Sequence, residues 1–174
     1  MNEVIIQNWN NKVNDNSTIY HLGDVGFGNY ENILKRLKGN IILIKGNHDK
    51  KLKSSIKKYF KEIVKSKLLF LKKKKISIFI SHYPVYLWEN MEYNGYHLHG
   101  HSHNLLHRDS KTMDVGVDTN NFELYSLEEV LDILVKKLNN DIWVKKLAGF
   151  SKEDYSKHKK LSLQRTGNID YEVI

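Results

Sequence analysis

Cysteine is absent from this chain of 174 residues. Its absence excludes disulfides, thiolate nucleophiles and cysteine-type zinc sites, so any metal has to be held by nitrogen and oxygen. Arginine is scarce as well. Only Arg36, Arg108 and Arg165 stand among 28 basic residues, and the rest are lysine. The planar guanidinium fork is what bidentate phosphate and base-edge contacts favour. The net charge of +8 therefore reads as a general attraction for anionic substrates, and sequence-specific nucleic-acid recognition is not expected. No apolar run approaches the roughly 20 residues of a membrane span. The opening "MNEVIIQNWN" carries Glu3 and several amides in place of a signal peptide's apolar stretch, so the expected compartment is the cytoplasm and no membrane partner is expected.

What is present is enough for one compact domain, with 40% hydrophobic residues over the chain. Residues 1–148 are read as that domain and 149–174 as a polar tail with few apolar anchors. Val4, Ile5, Trp9 and Val13 recur at helical spacing. "STIYHLGD" (17–24) is a β-rich run ending in Gly-Asp, and "YENILKRLKG" (30–39) reads as a helix closed by Gly39. "NIILIKGNHD" (40–49) opens as a strand that is apolar on both faces, which predicts cover on both sides. Leu52, Ile56 and Tyr59 again follow helical spacing. "LLFL" and "ISIFIS" flank Lys72 to Lys75 as a hairpin with a solvated tip. Strands are expected around 96–101 and 112–117, and a helix over 126–140 opened by Ser126 and Glu129 in capping-box register. Helices alternate with strands early and strands dominate later, which argues for a layered α/β domain.

Four histidines, His97, His99, His101 and His103, occupy every second position of "YHLHGHSHN". In an extended segment they would leave the backbone on one side, crowding nitrogen donors where an ion could sit. Acidic and amide partners stand elsewhere: "GD" (23–24), "GNHD" (46–49) and "SH" (81–82), each where an apolar run ends. Loops beyond strand ends are where layered α/β folds hold ligands. Each short motif has a plain structural alternative. Asp24 beside Gly23 and Gly26 fits a turn former, Asp49 fits the N-cap of a following helix, and His82 before Tyr83-Pro84 fits a buried, hydrogen-bonded histidine.

Taken in order, "GD", "GNHD", "SH" and "GHSH" (100–103), with "YHLGDVGFGN", "SHYP" and "DVGVD" around them, resemble the calcineurin-like metallophosphoesterase family in its small bacterial and phage-type form. The resemblance runs from residue 1 to about residue 130. It implies a four-layer α-β-β-α sandwich with two mixed sheets, holding two divalent ions: manganese foremost, with iron, zinc or nickel as alternatives. Carried over by motif, Asp24 bridges the ions, Asn47, His82 and His101 complete one shell, and His103 reaches the other ion. A metal-activated water would then attack phosphorus. His48 would serve the leaving oxygen as catalytic histidine, with Asp49 holding its ring. His97 and His99 are read as structural or as supports behind the metal ligands, and His21, His107 and His158 as background. The implied activity is hydrolysis of phosphomono- or phosphodiesters, the substrate being a phosphorylated small molecule, a nucleotide or a nucleic acid. The alternative is a non-catalytic metal-binding scaffold on the same fold.

The sequence departs from the family in one respect. The family opens with a strand ending in Asp-x-His, and no Asp-x-His occurs in this chain. The expectation is that the first strand, about 20–30 residues with its crossover, lies upstream of Met1. The first ion would then keep only Asp24 and His103, so the chain would bind one metal well and a second weakly, with impaired hydrolysis.

Overall fold

A computed structural model describes residues 1–106, 108 and 110–137. The chain runs α1 (Asn2–Lys12), β1 (Thr18–His21), α2 (Glu31–Leu34), β2 (Asn40–Ile44), α3 (Ser54–Lys57), β3 (Phe60–Val64), β4 (Ser66–Leu71), β5 (Ile76–Ser81), β6 (Tyr96–His99), β7 (Thr112–Asp114) and α4 (Leu127–Leu134). These form an α/β fold with two sheets, β1-β2-β3 and β4-β5-β6-β7. The first sheet is wholly parallel, which corrects the expectation of two mixed sheets. Its strands are joined through α2 and α3, and a helical crossover returns the chain to the same end. The second sheet is mixed: β4 and β5 form an antiparallel hairpin, while β5-β6 and β6-β7 are parallel.

Strand β2 shows why its sequence is apolar throughout. Ile41 and Leu43 join a cluster with Trp9 and Val13 from the α1 end, Leu34 of α2 and Ile56 of α3. Ile42 and Ile44 join a second cluster with Leu69, Ile78, Ile80, Tyr96 and Leu98 from the other sheet. A strand that feeds two cores has no solvent face on which polar residues could alternate. The second cluster also takes in Val130, Leu131 and Leu134 of α4. That helix is opened by the expected reciprocal capping box between Ser126 and Glu129 and tied to α1 by Lys12 on Glu129. Among the described residues, β6 turns His97 away from that cluster, where the Trp88 ring stacks on it at 5.3 Å.

Several elements differ from their sequence expectations. The helix expected over 30–39 contracts to Glu31–Leu34 before Gly39, whose φ of +87° turns the chain into β2. Around Leu52–Tyr59 only Ser54–Lys57 is helical, and β3 follows, a strand the sequence had concealed. Its Lys61 and Glu62 interrupt the apolar run by which a strand of a covered sheet is ordinarily found. On α1, Ile6 and Trp9 are the buried residues and Val4 faces solvent. The hairpin tip is a 3-10 turn over Lys72–Lys74, as solvated as expected. The end of the predicted 126–140 helix beyond residue 137, the tail 149–174, His107 and His158 lie outside the described residues. No described helix is long and apolar enough to cross a membrane.

Candidate metal centre

Strands β1 and β2 run parallel, as do β5 and β6, so two pairs of carboxyl ends deliver four loops. From β1 comes Gly23-Asp24, from β2 Gly46-Asn47-His48-Asp49, from β5 His82, and from β6 His101 to Asn104. The first two loops lie back to back at a distance that only glycine allows. A Cβ on Gly46 would stand 2.2 Å from Asp24 Oδ1 and 2.7 Å from the Asp24 amide, and one on Gly23 would stand 2.5 Å from the Gly46 nitrogen. Asp24 takes a left-handed φ of +54°. One of its oxygens, Oδ1, accepts the His48 amide at 2.9 Å, which leaves Oδ2 for the centre.

Asp49 supplies the tie. Its buried carboxylate accepts the Asp24 amide at 2.7 Å, the Val25 amide at 3.1 Å and the Gly46 amide at 2.8 Å. This corrects both sequence readings of Asp49. It neither holds the His48 ring nor caps a helix, since α3 begins only at Ser54 after Lys53. Three backbone donors aimed at one buried carboxylate outcompete a ring that lies at the surface. The His48 side chain is exposed, with its ring edge-on to Phe27 at 4.8 Å between centroids.

His82 is 3% exposed. Its Nδ1 lies 2.6 Å from the Leu22 carbonyl. A carbonyl can only accept, so Nδ1 carries the proton and, in the neutral ring, Nε2 is a bare lone pair. That lone pair faces Asn47 Oδ1 at 2.9 Å, His101 Nδ1 at 3.2 Å and Asp24 Oδ2 at 3.5 Å. One atom each from Asp24, His82 and His101 lies within 4.8 Å of the others, a spacing that could hold an ion. Nitrogen and oxygen atoms brought this close share a proton or a metal cation between them. The set, two imidazole nitrogens, a carboxylate oxygen and an amide oxygen, matches what divalent first-row metals take. The carbonyl behind His82 fixes its ring in the way that second partners of metal-binding histidines do.

The alternating row of histidines does not act as one face. Strand β6 ends at His99, and His101 and His103 adopt left-handed φ values of +65° and +47°, as does Asn104 at +58°. His97 is wholly buried, with Nε2 at 2.9 Å from Ser81 Oγ and Nδ1 at 2.8 Å from Thr112 Oγ1. Burial holds its imidazole down at a pKa of about 3, and holds that of His99 below the ordinary range too. His99 Nδ1 meets the Gly100 carbonyl at 2.9 Å. Both are structural, in keeping with their sequence reading. His101 does join the centre. His103 does not converge with the other groups: its exposed ring turns Nδ1 to Asp118 Oδ2, and that carboxylate raises its pKa.

Three residues beside the centre have functions that sequence reasoning left unassigned. Asp114 accepts Ser102 Oγ at 2.6 Å and the Asn104 amide at 3.2 Å, so it grips the loop on both sides of His103, while Asp118 holds the His103 ring. Both belong to "DVGVD", a motif visible in the sequence whose spacing alone does not say which loop it straps. His21, treated as background, accepts the Gly23 amide on Nδ1 at 3.2 Å. Burial lowers its pKa, against the pull of Asp49 and Asp24.

No family model matches the chain. It is similar to an uncharacterized protein of Methanocaldococcus jannaschii, MJ1445, at 28% identity over 149 residues, which covers 78% of this chain and 76% of that one. Its fold is similar to the crystal structure of AQ665 from Aquifex aeolicus, a protein of unknown function. There the TM-score is 0.60 at 28% identity, over 76% of this chain and 84% of that one. The second supports a shared α/β architecture, and neither brings an assigned activity with it.

Proposed function

We propose that this chain is a metal-dependent phosphoesterase of the calcineurin-like metallophosphoesterase type, hydrolysing phosphomono- or phosphodiesters on an α-β-β-α framework. The observation that carries the reading is the convergence of Asp24 Oδ2, Asn47 Oδ1 and His101 Nδ1 on Nε2 of His82. A divalent ion bound there, manganese before iron, zinc or nickel, would supply Lewis acidity toward a phosphoryl oxygen and acidify water. The chain's own residues supply the rest. Asp24 and Asn47 contribute oxygen, only one of them charged, so the centre stays electron-poor. His48 stands exposed on the other side of Asp24, fixed there by its amide, with its ring free to give a proton to a departing oxygen.

A second reading, a metal-binding scaffold without turnover, is favoured by one observation: His103, the expected ligand of a second ion, faces Asp118 and not the centre. One assay separates the two. Manganese-dependent cleavage of bis(p-nitrophenyl) phosphate, lost by at least about 100-fold in His48→Ala with manganese binding retained, is the expected result. Tight binding of one manganese ion per chain with no turnover would replace the enzyme by the scaffold. No binding at all, with Asp24→Asn indistinguishable from the parent protein, would remove both.

A further inference from the structure

Phe27 is 78% exposed, on a loop that leaves the centre directly after Asp24. A phenylalanine left in water forgoes roughly 1.5–3 kcal/mol of burial, and single exposed apolar residues are ordinary. The position of this one is not. Its ring and the His48 imidazole meet in a T-shaped contact at 4.8 Å and an interplanar angle of 65°. The His48 amide in turn is bonded to Asp24, so one residue separates an open aromatic face from the converging ligands. Across the centre, Tyr83 lies edge-on to His101 at 4.7 Å and to His82 at 4.9 Å, and it is also partly exposed. Leu105 and Leu106, just beyond His103 in the chain, are exposed as well.

We propose that Phe27 is a substrate-binding platform that stacks a flat aromatic ring carried by the leaving group, which makes the preferred substrates phosphoesters of nucleosides or other aryl-bearing alcohols. The inference rests on the phosphoesterase reading for one step: with phosphorus at the centre and His48 serving the leaving oxygen, the departing group lies on the Phe27 side. In that reaction water forms the new P–O bond and gives up a proton to solvent, the bond to the leaving oxygen breaks, and the leaving oxygen takes its proton from His48, which solvent then reprotonates. The platform discriminates between leaving groups, whereas the residues of the centre address phosphoryl oxygens common to all of them.

Two measurements test it. In turnover, Phe27→Ala should raise KM for a nucleoside phosphodiester and for bis(p-nitrophenyl) phosphate by about fivefold or more, the range of a lost base–aromatic stack. Glycerophosphocholine, which has no ring, should change by less than about twofold on the same scale, and Phe27→Tyr should restore the parent values. Equal changes for ringed and ringless substrates would overturn the proposal. The binding arm needs no turnover. Adenosine 5′-monophosphate should shift the Phe27 ring resonances and bind Phe27→Ala at least about fivefold more weakly, whereas glycerol 3-phosphate should distinguish the two proteins little. Ring-dependent binding without hydrolysis would retire the phosphoesterase reading and keep the platform. Hydrolysis with binding indifferent to Phe27 would do the reverse.

Discussion

The two halves of the centre are held in different ways. On the side of the first sheet, the Gly23-Asp24 and Gly46-Asp49 loops touch backbone to backbone, and one buried carboxylate, Asp49, gathers three amides. On the side of the second sheet, the His101–Asn104 loop bends through three left-handed residues and is strapped from outside by Asp114 and Asp118. The first half leaves almost no space for change. The second depends on side-chain bonds, one of them at the surface. Rigidity at a shared centre thus comes from close approach on one side and from fastening on the other, and the side built by close approach should tolerate substitution least.

The sharpest way to break that contrast is Gly46→Ala. Its Cβ would meet the Asp24 carboxylate and amide together, atoms with nowhere to go. We expect a loss of about 3 kcal/mol in urea unfolding and at least about tenfold weaker manganese binding by calorimetry, in line with disturbed ligand support. A Gly46→Ala protein with parental stability and affinity would show that the loops are not packed as described.

The next largest effect is acid sensitivity, which probes the second half. His97 is held without a proton down to a pKa of about 3, whereas in the unfolded chain it titrates near 6.5. Between those values the unfolded state binds more protons, so stability falls as pH falls from about 6.5 toward 3. The slope from this one imidazole approaches about 1.4 kcal/mol per pH unit, and His99 adds to it in the same direction. Urea midpoints measured from pH 7 to pH 4 should decline, and less steeply in His97→Gln. An unchanged slope in that variant would mean that the buried imidazole accepts a proton within the fold.

The smallest effect sharpens the comparison most. Asp118→Asn removes a charge from an exposed pair, so stability should change by less than about 1 kcal/mol. The His103 titration followed by NMR should nonetheless move down toward the ordinary histidine range, because Asp118 is the main cause of its elevation. If stability fell as far as in Gly46→Ala, the second half would be as tightly built as the first.

Much of the fold could be read where the signal is local and repeated. The Lys72–Lys75 hairpin tip, the Ser126–Glu129 capping box and the doubly apolar β2 depend on neighbours in sequence, and each stands where it was expected. What escaped depended on distant partners. Strand β3 hid behind Lys61 and Glu62, because pairing with β2 and not its own periodicity makes it a strand. The parallel order of the first sheet follows from how its crossovers pack, which no stretch of residues states. Within the centre, the motifs named Asp24, Asn47, His82 and His101 as a set, and the fold brings them together. The same reasoning gave Asp49 to a ring it does not touch, and it did not foresee Asp118 as the partner of His103.

By itself the sequence determined the chemistry on offer: no sulfur, four histidines in a row, and Asp-Asn-His motifs at the ends of apolar runs. Residue type and short-range spacing fix which atoms can donate and which segments are stiff. Only the tertiary structure decided which donors share a point in space. Strand β6 stops at His99, so an alternating row becomes two buried rings, one ring turned to His82 and one paired with Asp118. A carboxylate goes to whichever donors the packed loops present to it, and the amides of Asp24, Val25 and Gly46 converge on Asp49 only once β1 and β2 lie side by side.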